Sequence, residues 1–392
     1  MNRLLLTFFV TLAGLSSAFA QDSGIDGDGY YRVRNKGSQR YIYIRDNTGD
    51  YSLDVVDYGA LQLWKNIDRA VSDPSSVIYV KQVAAGKYDL QAQGTGAYRL
   101  VQHYVDIAEK SDGSYEVSAS QSGVTKYLSD ISNSDVRERG TMGDGGKLNY
   151  RKWIADKVKS TNAENYFGVK PTVTIGGKRY RPFYADFPFT TVSDGMKVYY
   201  INTVDTHFGV AVLKEIKGVV PRATPVLVEC ASANPSDNRI EISDVEGTAV
   251  TGNLLKGVYF ANDERPKSKD AYVKFDASSM RVLDAVDGKL TFTTSGGSIT
   301  ELEVYVNYND VIYDCIAANH CYLPVSASVQ GDLRVITESE YKGLGIDGVA
   351  QDKEETADGV FSLQGVRMRA DNDTQGLPNG VYIIGGHKVA VK

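Results

Sequence analysis

The sequence predicts an all-β, modular protein, and three observations lead there. Apolar residues alternate at period two in run after run, as in Ser76-Val77-Ile78-Tyr79-Val80, Val226-Leu227-Val228, Ala271-Tyr272-Val273-Lys274-Phe275 and Leu302-Glu303-Val304-Tyr305-Val306. Turn formers punctuate these runs, among them Asp46-Asn47-Thr48-Gly49, Gly94-Thr95-Gly96, Asp112-Gly113, Gly143-Asp144-Gly145-Gly146, Gly176-Gly177, Asp287-Gly288 and Gly296-Gly297. Tyrosine is in surplus, 26 residues against 12 Phe, and aromatic and β-branched residues suit a pleated, half-exposed surface. The same surplus would suit a sugar-stacking surface, and composition does not separate the two uses. Helical spacing is rare, with Val101 to Ala108 and Arg151 to Lys159 the best short candidates.

In chain order, residues 1–20 read as a signal peptide: Arg3, an apolar stretch from Leu4 to Leu15, and the cleavage pattern Ala18-Phe19-Ala20 before Gln21. The expected location is therefore outside the cytoplasm, secreted or at the cell surface. No later stretch approaches the roughly 20 apolar residues that cross a bilayer as a helix. The remaining length exceeds what one core usually serves, so two or three domains are expected. A formal charge of -6 argues against a nucleic-acid partner, whose phosphates need a basic face.

The N-terminal part carries three strand-turn-strand units: Tyr31 to Ile44, Tyr79 to Leu90, and Tyr115 to Leu128. In each, an aromatic opens the first strand and a tyrosine opens the return, at Tyr41-Ile42, Tyr88-Asp89-Leu90 and Tyr127-Leu128. Trp64 and Trp153 trail the first and third. Units of this kind, unable to bury their apolar sides alone, can share one core about a pseudo-threefold axis as a β-trefoil. The segments Gly29-Tyr30-Tyr31-Arg32-Val33-Arg34-Asn35, Gln62-Leu63-Trp64, Asp73-Pro74-Ser75-Ser76-Val77-Ile78-Tyr79 and Tyr88-Asp89-Leu90-Gln91-Ala92-Gln93-Gly94 resemble the ricin-like trefoil modules of secreted Bacteroidota proteins, over residues 26–160.

Another block follows over 170–336. Arg181-Pro182-Phe183-Tyr184-Ala185-Asp186-Phe187-Pro188-Phe189, Val219-Val220-Pro221-Arg222-Ala223-Thr224-Pro225-Val226-Leu227-Val228 and Ala317-Ala318-Asn319-His320-Cys321-Tyr322-Leu323-Pro324 resemble the β-rich module that follows such trefoils, which implies an antiparallel, β-sandwich-like region. Val-Pro and Thr-Pro steps hold Pro221 and Pro225 at strand entries and leave Val226 to Val228 as a buried strand. Residues 337–358 are expected to be a linker, since Asp352-Lys353-Glu354-Glu355-Thr356-Ala357-Asp358 is charged and without apolar rhythm. The tail, 359–392, reads as a small sheet. Its Gly376-Leu377-Pro378-Asn379-Gly380-Val381-Tyr382 element and terminal Lys388-Val389-Ala390-Val391-Lys392 resemble the type IX (type A) sorting domain, which implies secretion machinery as a partner, although the segment is shorter than a full sorting domain.

Gln62-x-Trp64 has the spacing that ricin-like trefoils use in their core and near their sugar pockets. A sugar site needs an aromatic face for the ring and carboxylate or amide groups for its hydroxyls. The candidates are Trp64, Tyr41 and Tyr43 for stacking and Asp46, Asn47 and Asp57 for hydroxyls, with Gln62 joining them through its spacing to Trp64. Against this, tryptophan in such a repeat is usually core, and Asp46-Asn47 is a ready turn.

His103, His207, His320 and His387 lie far apart and none sits at metal-ligand spacing. Asp26-Gly27-Asp28-Gly29 lacks the later carboxylate of a calcium loop, and Gly94-Thr95-Gly96 is followed by no phosphate-binding helix start. Cys230, Cys315 and Cys321 are too few for a disulfide scaffold; Cys315 and Cys321 could pair across a short loop, or all three could be small buried hydrophobes. His320 beside Cys321 would need a third orienting group for nucleophilic catalysis. The expectation is a protein with no catalytic centre, metal or cofactor, acting by recognition of glycans. The alternatives are an adhesin for envelope or host surface proteins, and a secreted hydrolase.

Overall fold

The computed structural model describes residues 24–44, 61–64, 70–94, 104–121, 123–130, 140–143, 148–259, 273–294, 302–306, 312–351, 359–363, 365–384 and 387–391. The expected signal peptide and residues 352–358 lie outside them. The chain divides into two compact units, residues 1–335 and 336–392. The fold class is the expected one, built of antiparallel sheets.

Among the described residues the first ten strands are β1 (Gly29–Asn35), β2 (Tyr41–Ile44), β3 (Leu61–Trp64), β4 (Ile78–Ala84), β5 (Lys87–Ala92), β6 (Val105–Glu109), β7 (Tyr115–Gln121), β8 (Val124–Asp130), β9 (Gly140–Gly143) and β10 (Lys152–Lys157). Alternation drives their pairing, because every second side chain must leave water together with its neighbours. β1 pairs β4, β4 pairs β5, β5 pairs β6, β6 pairs β7, β7 pairs β10, and β10 returns to β1. The ring is closed, which removes edge strands. Tyr31, Val33, Ile78, Val80, Leu90, Ala92, Val105, Tyr115, Val117, Trp153 and Ala155 fill it.

The hairpin β2–β3 stands on β1 and β8–β9 stands on β7. Arg34 faces Tyr41 in the first pair and Ser118 faces Tyr127 in the second, so Tyr31 matches Tyr115, Val33 matches Val117, and Ile42 matches Leu128. These are the first and third expected units. The second, Tyr79 to Leu90, is the hairpin β4–β5, whose strands both belong to the ring, so it is out of phase with the other two.

Two helical expectations are corrected. Val105–Glu109 and Lys152–Lys157 are strands, while 101–103 lie outside the described residues. In β10, Trp153 and Ala155 face the ring and Ile154 and Asp156 face away; this period of two overrides the weaker helical spacing.

In the middle region, Val226–Cys230 lies between Lys178–Phe183 and Lys197–Asp205. It is covered on both faces: Val226, Leu227 and Val228 are all 0% exposed. One face joins a core of Phe167, Phe183, Phe187 and Phe189. The other joins Leu283, Phe292, Leu323 and Leu333. The Gly176-Gly177 and Asp287-Gly288 turns each link strands in two residues with positive φ at both, as tight hairpins require. Val273 to Phe275, expected as strand, makes only the isolated bridge Lys274 to Cys315.

The first core of the middle region also contains Tyr30, Val77 and Val158. These side chains come from the outer surface of the ring, so ring and middle region share buried apolar surface. A polar network lies alongside. Gln93 Oε1 accepts from the Asp186 amide at 3.1 Å and from Asn319 Nδ2 at 3.3 Å, and the Tyr259 hydroxyl donates to Ala92 O at 2.8 Å. Gly94 has φ +98, and any side chain there would press on the Tyr30 ring.

In the second unit, Glu338–Gln351, which falls within the span expected as a linker, is helical. The local signal is Thr337-Glu338-Ser339-Glu340. The Thr337 hydroxyl and amide donate to Glu340 Oε2 at 2.7 Å, and the Glu340 amide reaches Thr337 Oγ1, a reciprocal capping box. A four-stranded sheet follows, with Val360–Ser362 and Gly380–Ile384 at its centre and Arg367–Arg369 and His387–Val391 at its edges.

Candidate functional site

The outer face of the first lobe, the surface of β1, β2 and β10 turned away from the ring interior, gathers the polar groups. Because Tyr31, Val33 and Asn35 point into the ring, Arg32 and Arg34 point out. Register places Asp156 opposite Arg32, and both Ile154 and Tyr41 opposite Arg34, so these side chains share one face. The segment Ser160 to Tyr166 and the turn Asp73 to Ser76 border it.

Arg32 is the floor of this face, at 1% exposure. Its Nε donates to Ser76 Oγ at 3.2 Å, and its Nη1 donates to Asn165 Oδ1 at 2.5 Å and Tyr166 O at 3.1 Å. Nη2 has no partner. Burial lowers its pKa to about 10, opposed by the nearby Tyr41, Tyr166 and Asp73. Arg34 is partly exposed, donates to Gln39 Oε1, and sets its guanidinium 6.0 Å from the Tyr41 ring centroid.

Asp156 Oδ1 is likewise buried without a partner. Burial raises its pKa, with Arg34 opposing and Glu164 adding to the shift. The folded chain thus holds this proton to higher pH than the unfolded chain, so its effect favours folding in acid and is lost as pH rises through the folded value. Asp156→Asn removes that penalty. The variant is expected to melt at a higher temperature than the parent at neutral pH, with the gap closing in acid; a lower melting temperature at neutral pH contradicts the assignment.

Of the expected sugar residues, Tyr41 stands on this face, partly buried, with its hydroxyl pKa raised by burial. Tyr43 is 4% exposed and packs with Ala70, so its ring belongs to the packing. Gln62 and Trp64 lie on β3, in register with Tyr43 and Tyr41. Asp46, Asn47 and Asp57 lie outside the described residues. Arg32 and Asp156 escaped sequence reasoning, although two arginines alternating inside an apolar strand were a usable signal.

Elsewhere, His320 is 5% exposed, with Nδ1 2.7 Å from Ala318 O, and Cys321 Sγ donates to Val226 O at 3.3 Å. Both sit on the strand His320–Pro324. All three cysteines are buried thiols. His207 lies on a hairpin beside Phe208, His387 is exposed on the last strand, and His103 is outside the described residues. Among the described residues no cluster of His, Cys, Asp or Glu could hold a metal, and no helix is long and apolar enough to cross a membrane. An open depression of about 410 Å³, lined by Tyr200, Glu215, Lys217, Thr248 and Thr251, lies at the end of Val210–Ile216. Glu246 at its rim is held by Arg222, whose Nε donates to Oε2 at 2.7 Å.

The fold and this face define an all-β protein with a polar, aromatic-bearing surface on a closed ring. No family model matches the chain, and no curated protein matches it. Among solved structures it is similar to a mosquitocidal holotoxin, at 10% identity and a TM-score of 0.27, over 76% of this chain and 44% of that one. The chain thus spans less than half the length of that structure's chain.

Proposed function

We propose that this is a secreted or cell-surface recognition protein without a catalytic role, which binds glycans through the outer face of its first lobe. The observation that carries the reading is the meeting of the Tyr41 ring, the Arg34 guanidinium and the Asp156 carboxyl on one sheet face. An aromatic face meets the apolar side of a sugar ring, and carboxyl and guanidinium groups take its hydroxyls. The ricin-like resemblance of residues 26–160 supports the same reading, and the ring closed by β1 and β10 agrees with it. For export, the signal-peptide pattern and the sorting-domain-like tail, whose residues form their own small sheet, support passage through a type IX secretion machinery.

Tyr41→Ala is expected to weaken glycan-array binding about tenfold, since one stacking contact is worth about 0.5–1.5 kcal/mol beyond its buried area, while a cooperative melting transition shows that the variant stays folded. Undiminished binding in that variant removes this face from the reading. If the protein is instead an adhesin for other proteins, capture from envelope extracts will survive competition by free sugars.

A further inference from the structure

Among the described residues three arginines are buried, Arg32, Arg40 and Arg281, and they differ in how their guanidinium groups are paired. Arg40 Nη2 is paired with Asp130 at 2.5 Å, with both side chains almost wholly buried. Arg281 is held by the carbonyls of Gly331, Ala277, Met280 and Val329. Arg32 has no carboxylate among its hydrogen-bond partners, and its Nη2 is undonated.

A buried cation to which no carboxylate is hydrogen-bonded is costly and projects its field into its surroundings, and Asp73 is the carboxylate near this one. Here the partly exposed Arg34 stands two residues along the same strand face and adds a second planar fork, whose shape matches a carboxylate. The carboxyl Asp156 stands across the register from Arg32, whereas the register partner of Arg34 on that strand is the uncharged Ile154. Glu164 is exposed to solvent, where its charge is screened.

Resting on the glycan-binding reading of this face, we infer that the bound sugar is an acidic one, its carboxylate held at Arg34 within the field of Arg32 while its ring lies against Tyr41. The test is an array of matched glycans, each neutral terminus beside its uronic acid or sialic acid counterpart, probed with the full chain, Arg34→Gln and Arg32→Met. The expected result is a preference of about tenfold or more for the acidic members, falling as salt is raised and lost in both variants.

Equal or stronger binding of the neutral members, or an acidic preference that persists in Arg34→Gln, overturns the acidic assignment and leaves the glycan reading standing. Binding of no glycan at all overturns both. Melting curves accompany each variant, and if Arg32→Met does not fold, the partly exposed Arg34→Gln decides the matter.

Discussion

Trp153→Ala is expected to destabilise the first unit by about 3–5 kcal/mol, the usual cost of deleting a large buried aromatic, out of a typical total of about 5–15 kcal/mol. Trp153 is 0% exposed and sits where the ring closes, in register with Asn35 of β1 and Tyr115 of β7. Its Nε1 donates to Leu128 O at 2.9 Å, which ties β10 to the hairpin standing on β7. The alanine variant leaves a cavity and removes the indole donor to Leu128 O. Trp153→Phe separates the two, restoring most of the volume without the donor, and its loss should be smaller, about 1–3 kcal/mol. Denaturant midpoints measure both. A Trp153→Ala midpoint equal to the parent's means that this side chain does not pack in the ring.

The second large effect is expected when the first module is cut away from the middle region. A fragment of residues 21–160 carries the complete ring but exposes Tyr30, Val77 and Val158, which in the whole chain belong to the core of the middle region. Tyr30 packs its ring 6.0 Å from Phe187 and 4.7 Å from Tyr79. At about 1.5–3 kcal/mol for each large apolar side chain returned to water, the loss rivals the stability of a domain. The fragment should aggregate or bind a hydrophobic dye, whereas residues 21–335 should not. A soluble fragment with the melting behaviour of the parent shows that the shared core contributes little.

How much of this was legible in the sequence depends on how local each signal is. Alternation and turn chemistry are local, so strands such as Val226–Cys230 and hairpins such as Asp287-Gly288 could be read directly. The phase of the repeat is not local: Tyr79 to Leu90 has the look of a unit, yet both of its strands belong to the ring, whereas the other two units each pair one ring strand with a strand standing outside it. The helix at Glu338–Gln351 was readable from its capping box, but its lack of an apolar stripe hid it.

The site divides in the same way. Tyr41 was found because tyrosine before an aliphatic recurs. Arg32 and Asp156 were missed because only the pairing of the first ring strand with the last brings them to one face. Tyr43 looked equivalent to Tyr41 in a list of aromatics, and depth separates them: Tyr43 is 4% exposed, whereas Tyr41 is only partly buried against the same cluster.

The site exists only if β1 lies between β4 and β10. Val33 and Ala155 are register partners inside the ring, and antiparallel partners bring their Cα atoms to about 4.5–5.5 Å, within disulfide reach. In Val33→Cys/Ala155→Cys, mild oxidation of the folded protein should link the two strands in most molecules, seen as a single cross-linked peptide by mass spectrometry. Thiols that stay unlinked, or that pair elsewhere, contradict ring closure and with it the face on which Arg32, Arg34, Tyr41 and Asp156 meet.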